Sequence, residues 1–121
     1  MGMATLVTHE LDAVANHEWR VLPLTGWLPD HIGYTAFTFL HIPLFAVLIA
    51  LLTSKQTKVR HHTKIGICLF LIIHALLHVA YMGSLHYEFS QISSNILIFG
   101  GAALGALFLI FEALGVGRQP T

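Results

Sequence analysis

Charge is what this sequence has least of: six Lys and Arg and six Asp and Glu among 121 residues, 10% of the chain against a usual ~25%. A chain so poor in charge does not suit water as its main solvent, and the even balance of signs leaves no bulk field to gather a polyanion. Nucleic acid is therefore not an expected partner. Cysteine is nearly absent as well. Cys68 alone rules out an intramolecular disulfide, and within its apolar run it is expected to pack as a small hydrophobe. The first 22 residues lack the basic start and apolar stretch of a cleaved secretory signal and carry acids and histidines instead. The amino-terminal segment is thus expected to belong to the fold.

What is present in excess is apolar, 55% of the residues. Residues 31–54, 65–87 and 89–111 contain no Asp, Glu, Lys or Arg. Each is long enough to span a bilayer, because ~20 residues rising ~1.5 Å apiece cross ~30 Å of hydrocarbon. The expected fold is all-α, an integral membrane helical bundle forming a single transmembrane domain over 1–121. Its helices are placed at about 3–22, 33–54, 64–85 and 91–113: three long spans plus an amino-terminal polar-faced helix. Four of the six basic residues lie in the stretch from Ser54 to Lys64, which has no acid and is expected on the cytoplasmic side. Arg118 and the carboxyl terminus then return to that side, while Asp30 and Glu88 lie opposite. Gly101 and Gly105 have the spacing that lets two helix backbones approach closely, a packing signal.

Residues 3–22, ended by Pro23, read as one helix. A wheel at ~100° per residue puts His9, Glu10, Asp12, Ala13, Asn16, His17 and Arg20 on one side, and Leu6, Leu11, Val14 and Ala15 on the other. Two placements fit: a helix lying on the outer membrane surface, or a fourth span turning its polar face into the bundle. The second is preferred, because it supplies polar groups to a buried site. Glu18 points away from the polar face and is expected at the interface.

Histidine is abundant, nine residues in all. His61 and His62 belong to the basic stretch, where a solvated interfacial role suffices. By depth, His41 and His78 fall ~10 Å from the outer ends of their spans and His74 ~15 Å, with His17 and His9 at similar levels if the first helix crosses. His74 and His78 stand one turn apart on a charge-free span, so their imidazoles share a face and can reach one ion. Core histidines bonded to backbone carbonyls or Tyr81 are the plainer explanation, but ionisable groups at membrane depth are costly to keep without a use. His9, Asp12 and His17 add nitrogen donors and a carboxylate, a set that suits Zn or non-haem Fe. His41 precedes Pro43, where the backbone is expected to bend. His86 and Glu88 either close the site or lie at the interface. Trp19, Trp27, Tyr34 and Tyr87 suit an interfacial aromatic belt.

The motifs HELD and HEWR near the amino terminus, HIPLF, HALLH and HYEF resemble a family of small uncharacterised bacterial membrane proteins over nearly the whole chain. That resemblance implies a bacterial inner membrane location and no particular activity. The chain is similar more loosely to membrane proteins named for an HXXEE motif, but Ala13 stands where their second acid falls.

The expected function is metal binding, with Fe or Zn held by His9, Asp12, His17, His41, His74 and His78. As an enzyme it would act on a lipid-soluble substrate, with Glu10 as the catalytic base. Two alternatives remain open at this point. One is a haem b-binding electron carrier, using His41 with His74 or His78 as axial ligands. The other is an accessory subunit of a larger membrane complex, or a homo-oligomer.

Overall fold

A computed structural model describes residues 1–115, and every regular element among them is helical. The helices are α1 (Gly2–Ala15), α2 (Asp30–Leu52), α3 (Thr57–Tyr81) and α4 (Ile92–Ala113), with one 3-10 turn at Glu18–Arg20. Helices α2, α3 and α4 are long and apolar enough to cross a membrane. Arg118, assigned to the basic side, lies outside the described residues.

The largest difference from the expected helices is in the first. It stops at Ala15 rather than reaching 22. Asn16 donates its side-chain amide to the Asp12 carbonyl at 2.8 Å, and His17 adopts a left-handed conformation with φ 52°. His enters that region more readily than most residues, and Asn16, at φ −101°, caps the helix just before it, so the pair ends the helix before Pro23 can. The second difference is at the basic stretch. Helix α3 begins at Thr57 instead of 64, so most of the cations ride on its first two turns. Lys and Arg are good helix formers, and nothing between Thr57 and Lys64 breaks the pattern. Helix α2 starts at Asp30, where a carboxylate complements the helix dipole, and runs unbroken through Pro43.

Helix α1 lies within the bundle, parallel to α3 and antiparallel to α4. Its His9 meets His74 and His78, while Thr5 sits against Gly101 and Asp12 reaches Ser94. At about 21 Å it is shorter than a ~30 Å hydrocarbon layer, so it is not a fourth long apolar helix; it packs one face on α3 and α4 and leaves Val7, Thr8 and Leu11 exposed. Leu6, assigned to the outer apolar side, is buried and packs with Ile67 and Leu71. The wheel had separated it from His9, although residues three apart share a face.

The glycines of α4 make the tight packing possible. A methyl group at Gly105 would stand 2.9 Å from the Cys68 carbonyl oxygen, and one at Gly101 would stand 3.1 Å from the Thr5 methyl. Above this seam, Ala13, Trp19, Phe37, Ala75, Phe89 and Ile98 form the larger apolar core. It surrounds the polar cluster described next.

Candidate metal centre

Three imidazoles and one carboxylate converge where α1, α3 and the 3-10 turn meet. His9 Nε2 is 2.8 Å from His74 Nε2, which is 3.0 Å from His78 Nε2. Glu18 Oε1 lies 3.3 Å from His74 Nε2 and 3.7 Å from His78 Nε2, and Glu18 Oε2 lies 3.5 Å from His9 Nε2. Ligand atoms from the four residues all fall within 4.8 Å of one another, and all four residues are buried.

Hydrogen bonding alone does not satisfy this arrangement. A ring nitrogen carries either one hydrogen or one lone pair, so His74 Nε2 cannot bond both neighbours in straight hydrogen bonds. His9 Nδ1 and Glu18 Oε2 are buried without any hydrogen-bond partner. Coordination would relieve the crowding. Ligand atoms about 2.1 Å from an ion stand about 3.0 Å apart at right angles and about 3.4 Å apart at tetrahedral angles. The observed separations bracket these values, and the donor set is one that first-row metals accept. The four residues therefore form a group able to hold a metal ion.

Each ligand is placed by a local feature. The i, i+4 register of α3 stacks His74 under His78. His9 projects from the buried face of α1 with Leu6, Glu10 and Ala13. The left-handed His17 turns the chain back, and the following residue, Glu18, enters the cluster with only 2% of its surface exposed. Burial, reinforced by the charges of Glu10 and Asp12, pushes the Glu18 carboxyl up to about 8. A metal ion would reverse that preference.

The surroundings hold the ligands in place. Tyr87 OH is 3.1 Å from His78 Nδ1, and the Phe89 ring lies edge-on to His78 with centroids 4.6 Å apart. Phe70 stacks on His74 at 5.3 Å. A cavity of about 10 Å³ lined by Glu18, His74, His78 and Tyr87 adjoins the cluster, room for about one water-sized sphere.

A salt-bridged latch closes the end of the bundle away from the basic stretch. Arg20 donates to both oxygens of Asp30, at 2.7 and 3.1 Å, and to Glu88 at 3.2 Å. His17 Nδ1 meets the other Glu88 oxygen at 2.9 Å, and that contact and Arg20 hold the Glu88 carboxyl below its usual range. Trp19 Nε1 also donates to Asp30, at 3.0 Å.

A sequence profile matches residues 1–114. The chain belongs to a family of unknown function, DUF6713. The family's span takes in the whole cluster and its latch, and a family of unknown function is consistent with the expectation of an uncharacterised one. No curated protein and no solved structure matches the chain.

Of the ligands expected from sequence, the cluster gathers His9, His74 and His78 and leaves out Asp12, His17 and His41. Asp12 instead accepts a hydrogen bond from Ser94 at 3.1 Å, and His17 belongs to the latch. His41 Nδ1 donates to the Phe37 carbonyl at 2.6 Å, while its Nε2 meets Glu10 at 2.8 Å. Glu10, the expected base, thus partners His41. The haem pairing of His41 with His74 or His78 has no counterpart, since His74 and His78 point at each other and at Glu18. Glu18 is the residue sequence reasoning missed. A continuous helix through 22 sent it outward, and only recognising Asn16-His17 as a helix end would have turned it in.

Proposed function

We propose that this chain is a multi-pass membrane protein binding one transition-metal ion, iron or zinc, through His9, Glu18, His74 and His78. The observation that carries this reading is the convergence of three Nε2 atoms and both oxygens of a buried carboxylate on one point. The ion would supply Lewis acidity or, as iron, redox chemistry, in a site enclosed by apolar side chains and therefore suited to a lipid-soluble substrate.

The chain's own acid–base group is the Glu10–His41 pair. Because His41 Nδ1–H is committed to the Phe37 carbonyl, the 2.8 Å contact between His41 Nε2 and Glu10 holds one shared proton. Glu10 follows the proposed ligand His9 on α1, so the pair is tied to the same helix as one of the ligands. The basic end of α2 and α3 faces the cytoplasm in this reading, the latch faces outward, and the membrane is a bacterial plasma membrane.

Elemental analysis of detergent-purified protein tests the proposal. About one Fe or Zn per chain is expected, reduced to background in His74→Ala and Glu18→Ala and retained in His41→Ala and Asp12→Asn. Metal-free protein of native fold would sink the reading, and a Soret band would replace it with the haem one.

A further inference from the structure

We propose that the groove between α2 and α3 holds one acyl chain of an anionic membrane phospholipid, whose headgroup rests on the basic end of this helix pair. The groove encloses about 300 Å³ between Leu44, Leu48 and Leu51 of α2 and Gly66, Ile67 and Phe70 of α3. It is a true packing gap, because a side chain added at Gly66 would meet nothing within 4 Å. Helix α2 buries only Gly33 and Phe37, both near its start; later along it Leu44, Val47 and Leu51 stay exposed, while Leu48 and Leu52 pack in part against the Leu6, Ile67 and Leu71 cluster.

An empty cleft lined by leucines forfeits dispersion contacts, and water gains nothing there. In a bilayer the available filler is a hydrocarbon chain. The charges at one end select among lipids. Four residues beyond Leu51, in the connection after α2, lies Lys55, and one turn before Thr63, the groove's last residue at that end, lies Arg60. Arg60 donates to the carbonyls of Ser54 and Lys55 at 2.7 and 3.3 Å and so orders the short connection, while Lys55 and Lys58 remain exposed. No acid occurs between Ser54 and Lys64. A phosphate headgroup complements that end, as polybasic segments do at anionic leaflets. At its other end the groove stops against Phe70, whose ring stacks on His74, so the chain's far portion lies one ring from the metal centre.

The inference rests on the membrane reading and not on the metal. Its test uses the full chain in phosphatidylcholine nanodiscs with phosphatidylglycerol carrying a diazirine in one acyl chain. Photolabel is expected on Leu48, Leu51 and Ile67. Excess unlabelled phosphatidylglycerol should lower it several-fold, with phosphatidylcholine and oleate far weaker. Gly66→Phe and the smaller Gly66→Leu fill the groove and should reduce labelling there while metal content stays unchanged. Lys55→Gln with Lys58→Gln should erase the preference for phosphatidylglycerol.

Label spread evenly over the exposed Ile42, Ile73 and Ile110 would overturn the proposal, as would equal competition by phosphatidylcholine. Competition by oleate matching that of phosphatidylglycerol would replace the phospholipid with a free fatty acid. A chain extracted from membranes by alkaline carbonate would instead overturn the membrane reading itself.

Discussion

Glu18 sits where a carboxylate is least at home, 2% exposed and near two further acids, Glu10 and Asp12. Without an ion its carboxyl is raised from the ordinary 4.5 to about 8, so the metal-free fold favours the protonated form. The stability linked to that form is complete below pH 4.5 and is lost as pH rises through about 8. Metal-free wild type should therefore lose stability relative to metal-free Glu18→Gln as pH rises from 5 to about 8, measured by thermal unfolding in detergent. Added metal should reverse the trend, because coordination requires the carboxylate. Tyr87 gives a second expectation. Its hydroxyl orients His78 through Nδ1, so Tyr87→Phe should weaken metal affinity by ~10- to 100-fold in a chelator competition while leaving the fold intact. At this scale sequence was informative about His74 and His78, whose register on one helix is a local fact. It was misleading for Glu18, whose position depends on where a neighbouring helix ends.

At the scale of elements, the long apolar helices were legible because charge-free runs of more than 20 residues leave few alternatives. Their ends were less so. The basic residues from Lys58 to Lys64 mark a boundary of solvent, not of helix, and α3 continues through them. The break at Asn16-His17 was hidden because neither residue forbids a helix as Pro23 does, and the contact of the left-handed His17 with Glu88 joins residues 71 apart in the chain. The glycine seam gives the test proper to this scale. Gly105→Leu would drive carbons into the Cys68 backbone, which cannot yield as a flexible side chain can, and should destabilise the α3–α4 pair by about 1–3 kcal/mol. Gly100→Leu, on a face where a methyl meets nothing within 4 Å, should be neutral in the same unfolding assay.

For the whole molecule, exposed apolar residues such as Phe39, Leu40, Ile42, Ile96 and Ile110 ring the bundle and would be a liability in water. The chain should stay in the pellet after carbonate extraction, and a reporter fused in the Thr53–Gln56 connection should be cytoplasmic. A reporter in residues 82–91 should lie on the far side. The all-α fold and its three long apolar helices were readable from the charge-free runs. The ligand set was readable only in part, because convergence is a property of how helices pack, and one sequence does not reveal packing.

The cluster of His9, Glu18, His74 and His78 draws on segments made at different times. His9 and Glu18 leave the ribosome early, whereas His74 lies 65 residues after His9 and must follow before the three can meet. The amino-terminal segment therefore spends part of its synthesis without partners, its acids and imidazoles still hydrated. An ion captured on arrival of α3 would act as a clasp that ends this waiting state and commits a short helix, too brief to hold a bilayer by itself, to the interior.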